Sequence, residues 1–465
     1  MSMKFPGQVV KFVGLLISLI LLSNLLGLNN LQMFSLLVLG SMVGATLMFW
    51  RYRVLFAFIA LSFMLGVNLI DVRSIKDFAQ LDTILFLASM MVIVGYLEEK
   101  RFFEVLIDRV VRFTGDRPNI VMIFFLVMSA LLAALVDEVT SILIMVAVIL
   151  DYTSRYKINP VPFIVMSIFA TNIGSSATVV GNPVGVMIAF NAKLSFTEFL
   201  RWATPTAIIS LFLVLVICRI VFKKEITELE KAVRNERAKI EEMEEVVKEA
   251  PDIRIPALIF LATILGLVFH TPLEELLGLT KNSMLLGIPF FFAGIVLFLE
   301  KEHAREIVER RIDWWTLIFF LIFFASVGTL KHVGTVKVLA EIIYNSTNGV
   351  LENIILSVFL AGGIMTAFMD NVLAVATWIP IIQTIGELGV NNYPLWWSLL
   401  FTGTFWGNLT LIGSTANIVA IGTLEKRIGV HLTLRYWIPY GVAVTIPTVL
   451  LAMLIVLIQL PLMSA

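Results

Sequence analysis

Two short acidic motifs stand in apolar sequence. One is Asp137-Glu138, between Ala134-Leu135-Val136 and Val139; the other is Asp370-Asn371, between Ala367-Phe368-Met369 and Val372. Two polar, glycine-rich runs accompany them. The first, 171–183, carries Asn172, Ser175, Ser176, Thr178 and Asn182; the second, 407–417, carries Asn408, Thr410, Ser414, Thr415 and Asn417. With Thr140 they make a candidate ion- and substrate-binding set of three acids, many neutral oxygens and no Lys or Arg. That set suits direct binding of a cation or a proton, with Na⁺ expected at Asp137, Asn172, Asp370 and Asn408. An anion would have to rest on helix N-termini and a co-bound cation. No catalytic set competes with this reading. There is one cysteine, Cys218, and the four histidines are scattered without an HExxH pattern. A GxGD-type aspartate and an aspartate-rich diphosphate motif are missing too, so neither an enzyme nor a cofactor is expected.

The surroundings explain why these acids matter. Of 465 residues, 59% are hydrophobic and 15% charged, against roughly 45–50% and 25% in soluble domains. Mean hydropathy is +0.95. A soluble chain could not hide that much apolar surface, and a net charge of zero gives no case for nucleic acid. The composition describes an all-α polytopic membrane protein, in which intramembrane ionisable groups are costly and default to function. A crossing needs about 20 apolar residues. Stretches near 12–28, 33–50, 54–70, 82–97, 204–221, 255–271, 284–299, 313–330 and 436–460 fit. With 160–190 and 394–424 they make about eleven crossings. If the N-terminus is cytoplasmic, inside segments carry 27 Lys and Arg and outside segments 7. The positive-inside rule then puts the N-terminus inside and the C-terminus outside, in the plasma membrane. The first span lacks a small-residue cleavage site and reads as uncleaved. Charges alternating in sign over 223–250 read as a solvated linker helix. Trp314, Trp315, Trp396, Trp397 and Trp437 read as interfacial anchors, and Cys218 as inert.

The landmarks repeat. Leu81-Asp82-Thr83-Ile84-Leu85-Phe86 parallels Ile312-Asp313-Trp314-Trp315-Thr316-Leu317-Ile318-Phe319. The two acidic motifs are offset by 233 residues, and Thr178-Val179-Val180-Gly181-Asn182 and Thr410-Leu411-Ile412-Gly413-Ser414 by 232. The span at 82–97 runs outside to inside and its partner at 313–330 inside to outside, so the repeats are inverted, as in secondary transporters. The stretch 139–150 is too short to cross. Hence 118–150 and 349–386 are read as re-entrant hairpins with the acidic motifs at their tips. By contrast, 160–190 and 394–424 are too long for straight crossings and are read as helices broken at their polar runs. Pro183 suits the first turn of a new half-helix. Small residues also serve close helix packing, which is the competing reading for the glycines. The division expected is 1–80, then a first repeat over 81–222, the linker 223–254, and a second repeat over 255–465.

The paired Asp-x-Val tips, the run 172–183, and Pro394-Leu-Trp-Trp-Ser followed by 407–417 resemble the ArsB/NhaD permeases. This family holds arsenite permeases, sodium/proton antiporters and the melanosomal P protein, within an ion transporter superfamily that also contains citrate and dicarboxylate carriers. The resemblance covers about 80–450. It implies a homodimer in which a scaffold (including 1–80) supports a mobile, elevator-like transport domain built from the hairpins and broken helices. Two motifs depart from the family's pattern. Its first tip usually reads Asp-Asn, and here it is Asp137-Glu138; its Gly-Asp-Pro-Pro-Asn is Gly181-Asn182-Pro183-Val184-Gly185. An acidic group has in effect moved from broken helix to hairpin tip. The expected activity is Na⁺- or H⁺-coupled transport of a small inorganic ion, by Na⁺/H⁺ antiport or arsenite and oxyanion export. A coupled carboxylate carrier and a passive channel are the alternatives.

Overall fold

The computed structural model describes residues 5–107, 118–240 and 251–463, and it is helical throughout, with no strand among them. The end of the amphipathic stretch 98–117 and the acidic end of the linker 223–250 lie outside the described residues. Among the described residues, six helices are each long and apolar enough to cross a bilayer: Asn30–Met48, Leu81–Glu99, Phe196–Val221, Trp314–His332, Leu351–Phe368 and Leu434–Met463. Arg254–Val268 and His270–Leu277 are together long and apolar enough as well, as a pair bent by 62° within the expected span 255–271. The protein is thus a multi-pass membrane protein.

Both acidic motifs lie at helix–helix turns. Pro118–Leu135 is followed by Glu138–Arg155, which packs back along it. Leu351–Phe368, containing a π-helical turn at Val358–Gly362, is followed by Asn371–Glu387. One expectation about length is corrected. The second arm of the first hairpin does not stop at Leu150. It runs 18 residues to Arg155, about 27 Å, because Asp151 takes an i,i+4 ion pair with Arg155 at 2.7 Å. A charge that marked a membrane boundary in the sequence continues the helix.

The long stretches break at their polar runs. Val161–Gly174 gives way to a 3₁₀ turn at Val179–Gly181 and then Pro183–Ala192. Tyr393–Phe405 gives way to a 3₁₀ turn at Trp406–Asn408 and then Thr415–Ile428. The repeats share the bond that ties each break to its hairpin. Thr178 Oγ1 donates to the carbonyl of Ala134, and Thr410 Oγ1, 232 residues later, donates to that of Ala367.

Two further expectations are corrected. The linker helix is not solvated all round. Ile226, Leu229 and Val233, spaced for one helical face, are buried, and the helix packs on Pro118–Leu135. Of the five tryptophans, Trp396, Trp397 and Trp437 are buried, while Trp314 and Trp315 are exposed. Trp437 donates Nε1–H to the carbonyl of Asn408 at 3.0 Å, satisfying an acceptor that the break frees.

Candidate functional site

Four half-helices begin around one centre, and each is capped by a residue of the candidate set. Asp137 is extended (φ −176°, ψ 164°) and accepts from the N–H groups of Val139 and Thr140 at 2.7 and 2.8 Å. Asn182 accepts from Gly185 N–H at 2.8 Å, Asp370 from Val372 N–H at 3.0 Å, and Ser414 from Ala416 N–H at 3.1 Å. Each helix N-terminus carries roughly half a positive charge. Four of them together offset part of the cost of burying carboxylates. The N-termini that a transported anion could have used are therefore already met by the protein's own side chains.

The two hairpin tips meet. Asn371 Nδ2–H faces both carboxylate oxygens of Glu138 at 3.4 Å. Asp370 is buried and accepts from Thr415 Oγ1–H at 2.5 Å, which joins the second tip to the second broken helix. Behind the tips, Asn172 clamps the breaks to each other. Its Nδ2 donates to Asn408 Oδ1 at 2.7 Å and to Asn417 Oδ1 at 2.9 Å, and its Oδ1 accepts from Ser414 at 2.9 Å. Asn417 also donates to the carbonyls of Gly407 and Thr410, and Asn182 to Ser175 Oγ, each at 2.7–2.8 Å. Ser175 and Ser176 close locally on the carbonyls of Asn172 and Ile173.

A cavity of about 280 Å³ lies against the first tip, near the lower end of the roughly 300–1,000 Å³ usual for small-molecule sites. Asp137, Glu138, Thr140, Asn182 and Thr415 of the candidate set line it. The others do not. Asn172, Ser175, Ser176, Thr178, Asp370, Asn371, Asn408, Thr410, Ser414 and Asn417 are buried behind this wall. The opposite wall comes from Trp50 and Arg53, from helix Leu81–Glu99, and from Arg311, Asp313, Thr316 and Phe320.

That wall corrects the reading that no Lys or Arg approaches the site. Arg53 and Arg311 both line the cavity, and Asp370 lies within electrostatic range of Arg53. Arg311 faces Glu98 at 3.4 Å and Glu99 at 4.0 Å. Arg53 donates Nη2–H to Thr316 Oγ1 at 2.6 Å. In the sequence Arg53 counts as one more inside-loop charge. No spacing in the sequence points to it, because its partner Thr316 lies 263 residues away.

Comparisons agree with this architecture. The family model described as "Citrate transporter" (CitMHS) matches residues 36–402. The 46 kDa membrane protein of Mycobacterium leprae is 32% identical over 382 residues, covering 80% of this chain and 84% of that protein. The uncharacterized transporter Rv2684 of Mycobacterium tuberculosis is 30% identical over 383 residues with the same coverage. Human P protein is 24% identical over 430 residues, 76% of this chain and half of that longer protein, which agrees with the resemblance drawn from the tip and break motifs. Among solved structures, the YdaH transporter of Alcanivorax borkumensis, described as having an unusual topology, superposes with a TM-score of 0.55. It covers 86% of this chain and 88% of its own at 14% identity, a likeness of fold. Four half-helices opening on buried acids, two hairpins meeting tip to tip and a family match over most of its length make this chain a membrane secondary transporter of the citrate transporter (CitMHS) family.

Proposed function

We propose that the protein is a carrier that moves a small carboxylate with Na⁺ or H⁺, the cation being held at Asp137, Glu138 and Asp370. The observation that carries this reading is the pairing, in one cavity, of the first tip's acids, Asp137 and the buried Glu138, with Arg53 and Arg311. Acids alone favoured Na⁺/H⁺ antiport, and arsenite or oxyanion export stood beside it. A cationic wall and the family's description favour a cation-coupled carboxylate. The test is flux into proteoliposomes under separate Na⁺ and pH gradients, with citrate, dicarboxylates, arsenite and Na⁺ itself as probes. Gradient-driven citrate or dicarboxylate uptake is expected. Conduction without saturation would identify a channel, and ²²Na⁺/H⁺ exchange with no anion flux an antiporter.

The proposed sidedness and elevator motion draw support from opposite ends of the same helices. The cavity opens beside the exposed Arg311 and Asp313, where Glu98 ends helix Leu81–Glu99. At that helix's other end, about 28 Å away, polar bonds close the structure. Asn191 donates to Gln80 at 3.2 Å and accepts from Gln383 at 3.3 Å, and Asn282 donates to the carbonyl of Ala189 at 2.9 Å. If the charge count holds, the cavity faces the cytoplasm and these bonds latch the outer side; the homodimer implied by the resemblance belongs to the same proposal. Asn191→Ala should weaken the latch by about 1 kcal/mol, a several-fold shift toward the opposite-facing state. In a Cys218→Ala background, a cysteine at Thr140 should then react several-fold faster with an impermeant reagent added outside. An unchanged rate would remove the latch. In the same background a cysteine at Lys239 should be labelled only from the inside, and labelling from outside intact cells would overturn the topology.

A further inference from the structure

We propose that Arg53 is a specificity-determining residue that receives a carboxylate of the transported anion; this rests on the carboxylate-carrier reading above. One nitrogen of its guanidinium is fixed. Nη2 donates to Thr316 Oγ1 at 2.6 Å, and the single hydroxyl proton of Thr316 goes to Asp313 Oδ2 at 2.5 Å, so the threonine oxygen is left to accept from the arginine. Asp313 is itself held as the cap of helix Trp314–His332 through Thr316 N–H at 3.1 Å. The plane of the arginine is backed by aromatic rings, its carbon centre lying 4.9 Å from the ring of Trp50 and 5.9 Å from that of Phe319. Nε, which shares one edge of the fork with Nη2, is shielded from solvent and has no acceptor, so that edge is only half committed.

The protein's own carboxylates do not fill that edge. Asp137 is taken up by two backbone N–H groups, Asp370 by Thr415 and Val372, and Asp313 by Thr316. Arg311, the other arginine of the cavity, already faces Glu98. A guanidinium offers five donors in a rigid fork that fits a carboxylate in two parallel bonds. An ammonium does not reproduce that geometry. Held through Nη2, flanked by aromatic rings and with Nε–H unpartnered, Arg53 is prepared for a planar anion in the cavity it lines. It belongs to helix Arg53–Gly66, ahead of both repeats, while Asp137 and Glu138 of the first hairpin tip line the same cavity. A substrate carboxylate bridging the two walls would be held in this state and released from Arg53 when the walls move past each other. The ligand class is a small multivalent carboxylate: one group meets Arg53, and the rest lies toward the tips beside the coupling cation.

The test uses the full-length protein in proteoliposomes, with Arg53→Gln and Arg53→Lys, citrate as the anion probe, and Na⁺-induced thermal stabilisation of the purified protein as the cation readout. Arg53→Gln should raise the citrate KM roughly 10- to 100-fold, Arg53→Lys should raise it less, and the Na⁺ response should be kept or strengthened, because a positive charge near Asp370 is lost. A merely structural arginine would weaken Na⁺ stabilisation as it raises citrate KM, and that result overturns the proposal. So does an unchanged citrate KM in Arg53→Gln while the wild type transports citrate, and this leaves the carrier reading standing. Wild-type protein that takes up no carboxylate defeats the carrier reading and the proposal with it. Should Arg53→Gln fail to fold, Arg53→Lys decides by the same criterion: a raised KM with an intact Na⁺ response supports the assignment, and an unchanged KM overturns it.

Discussion

Asp370→Asn is expected to fold, reach the membrane and lose ion-coupled uptake by about two orders of magnitude, the size of a lost charge-assisted interaction near the top of its range of about 3 kcal/mol. Asparagine keeps the shape and one acceptor oxygen. Val372 N–H can still be capped by Oδ1, and Nδ2–H, standing where Oδ2 was, can donate to Thr415 Oγ1. What disappears is the charge, at a position buried from solvent beside Glu138 and the tip of the other hairpin. If Asp370 were only a helix cap, the pattern would differ: the loss would lie in stability, about 0.5–2 kcal/mol, with coupling intact in the protein that survives. Asp137→Asn should behave like Asp370→Asn. A Glu138 side chain turned toward the backbone would make Glu138→Gln milder, and it does not turn that way. Its carboxylate faces Asn371 at 3.4 Å, a distance at which a bound cation would compete easily, so Glu138→Gln should impair coupling comparably. The measurement is Na⁺- and pH-gradient-driven uptake in proteoliposomes beside size-exclusion profile and melting temperature. Wild-type rates with an unchanged pH profile in Asp370→Asn would take this acid out of the mechanism.

Much of the site could be read from the sequence because the bilayer makes polar residues conspicuous. An acid, or a run of Asn, Ser and Thr, in apolar sequence has few structural excuses. The matched spacing of two such runs then betrays the repeat before any helix is placed. What could not be read were the cross-chain partners. Equivalent breaks in inverted repeats converge on one site, and Asn172 and Asn408 meet at 2.7 Å. Yet the same bond shows the asparagines engaged with each other as a clamp, which no spacing along the chain reveals. Arg53 was hidden for the opposite reason. A positive charge near a membrane boundary is ordinary, and only the fold carries it onto the cavity wall against Thr316, 263 residues away. The buried tryptophans mislead in the same way. Trp437 has the composition of an interfacial anchor, and its role comes from the free carbonyl of Asn408.

Glycine in the polar runs had two readings, bending and close packing, and Gly174 separates them by experiment. It ends helix Val161–Gly174 with ordinary negative φ, so no left-handed conformation demands it. On propensity alone, Gly174→Ala would stabilise the helix by up to about 1 kcal/mol. Packing reverses the sign. A Cβ on Gly174 would fall well under 3.0 Å from the O, Cα and C of Ala130, which are backbone atoms of the first hairpin's arm and cannot rotate away. Overpacking costs about 1–3 kcal/mol when side chains can adjust, and here a helix must move instead. Gly174→Ala is therefore expected to destabilise by 3 kcal/mol or more. The damage should also reach function. Ala130 lies seven residues before Asp137, about 10 Å along the arm, so any shift that admits the methyl group displaces the acidic tip from Asn371. Coupled uptake should then fall further than the folded fraction does. Gly422→Ala is the matched control, in helix Thr415–Ile428 with nothing within 4 Å of the added carbon; it should be neutral or slightly stabilising. A Gly174→Ala protein with the melting temperature and uptake of wild type would show that the hairpin arm yields without cost, and that the close contact does not hold the tip in place.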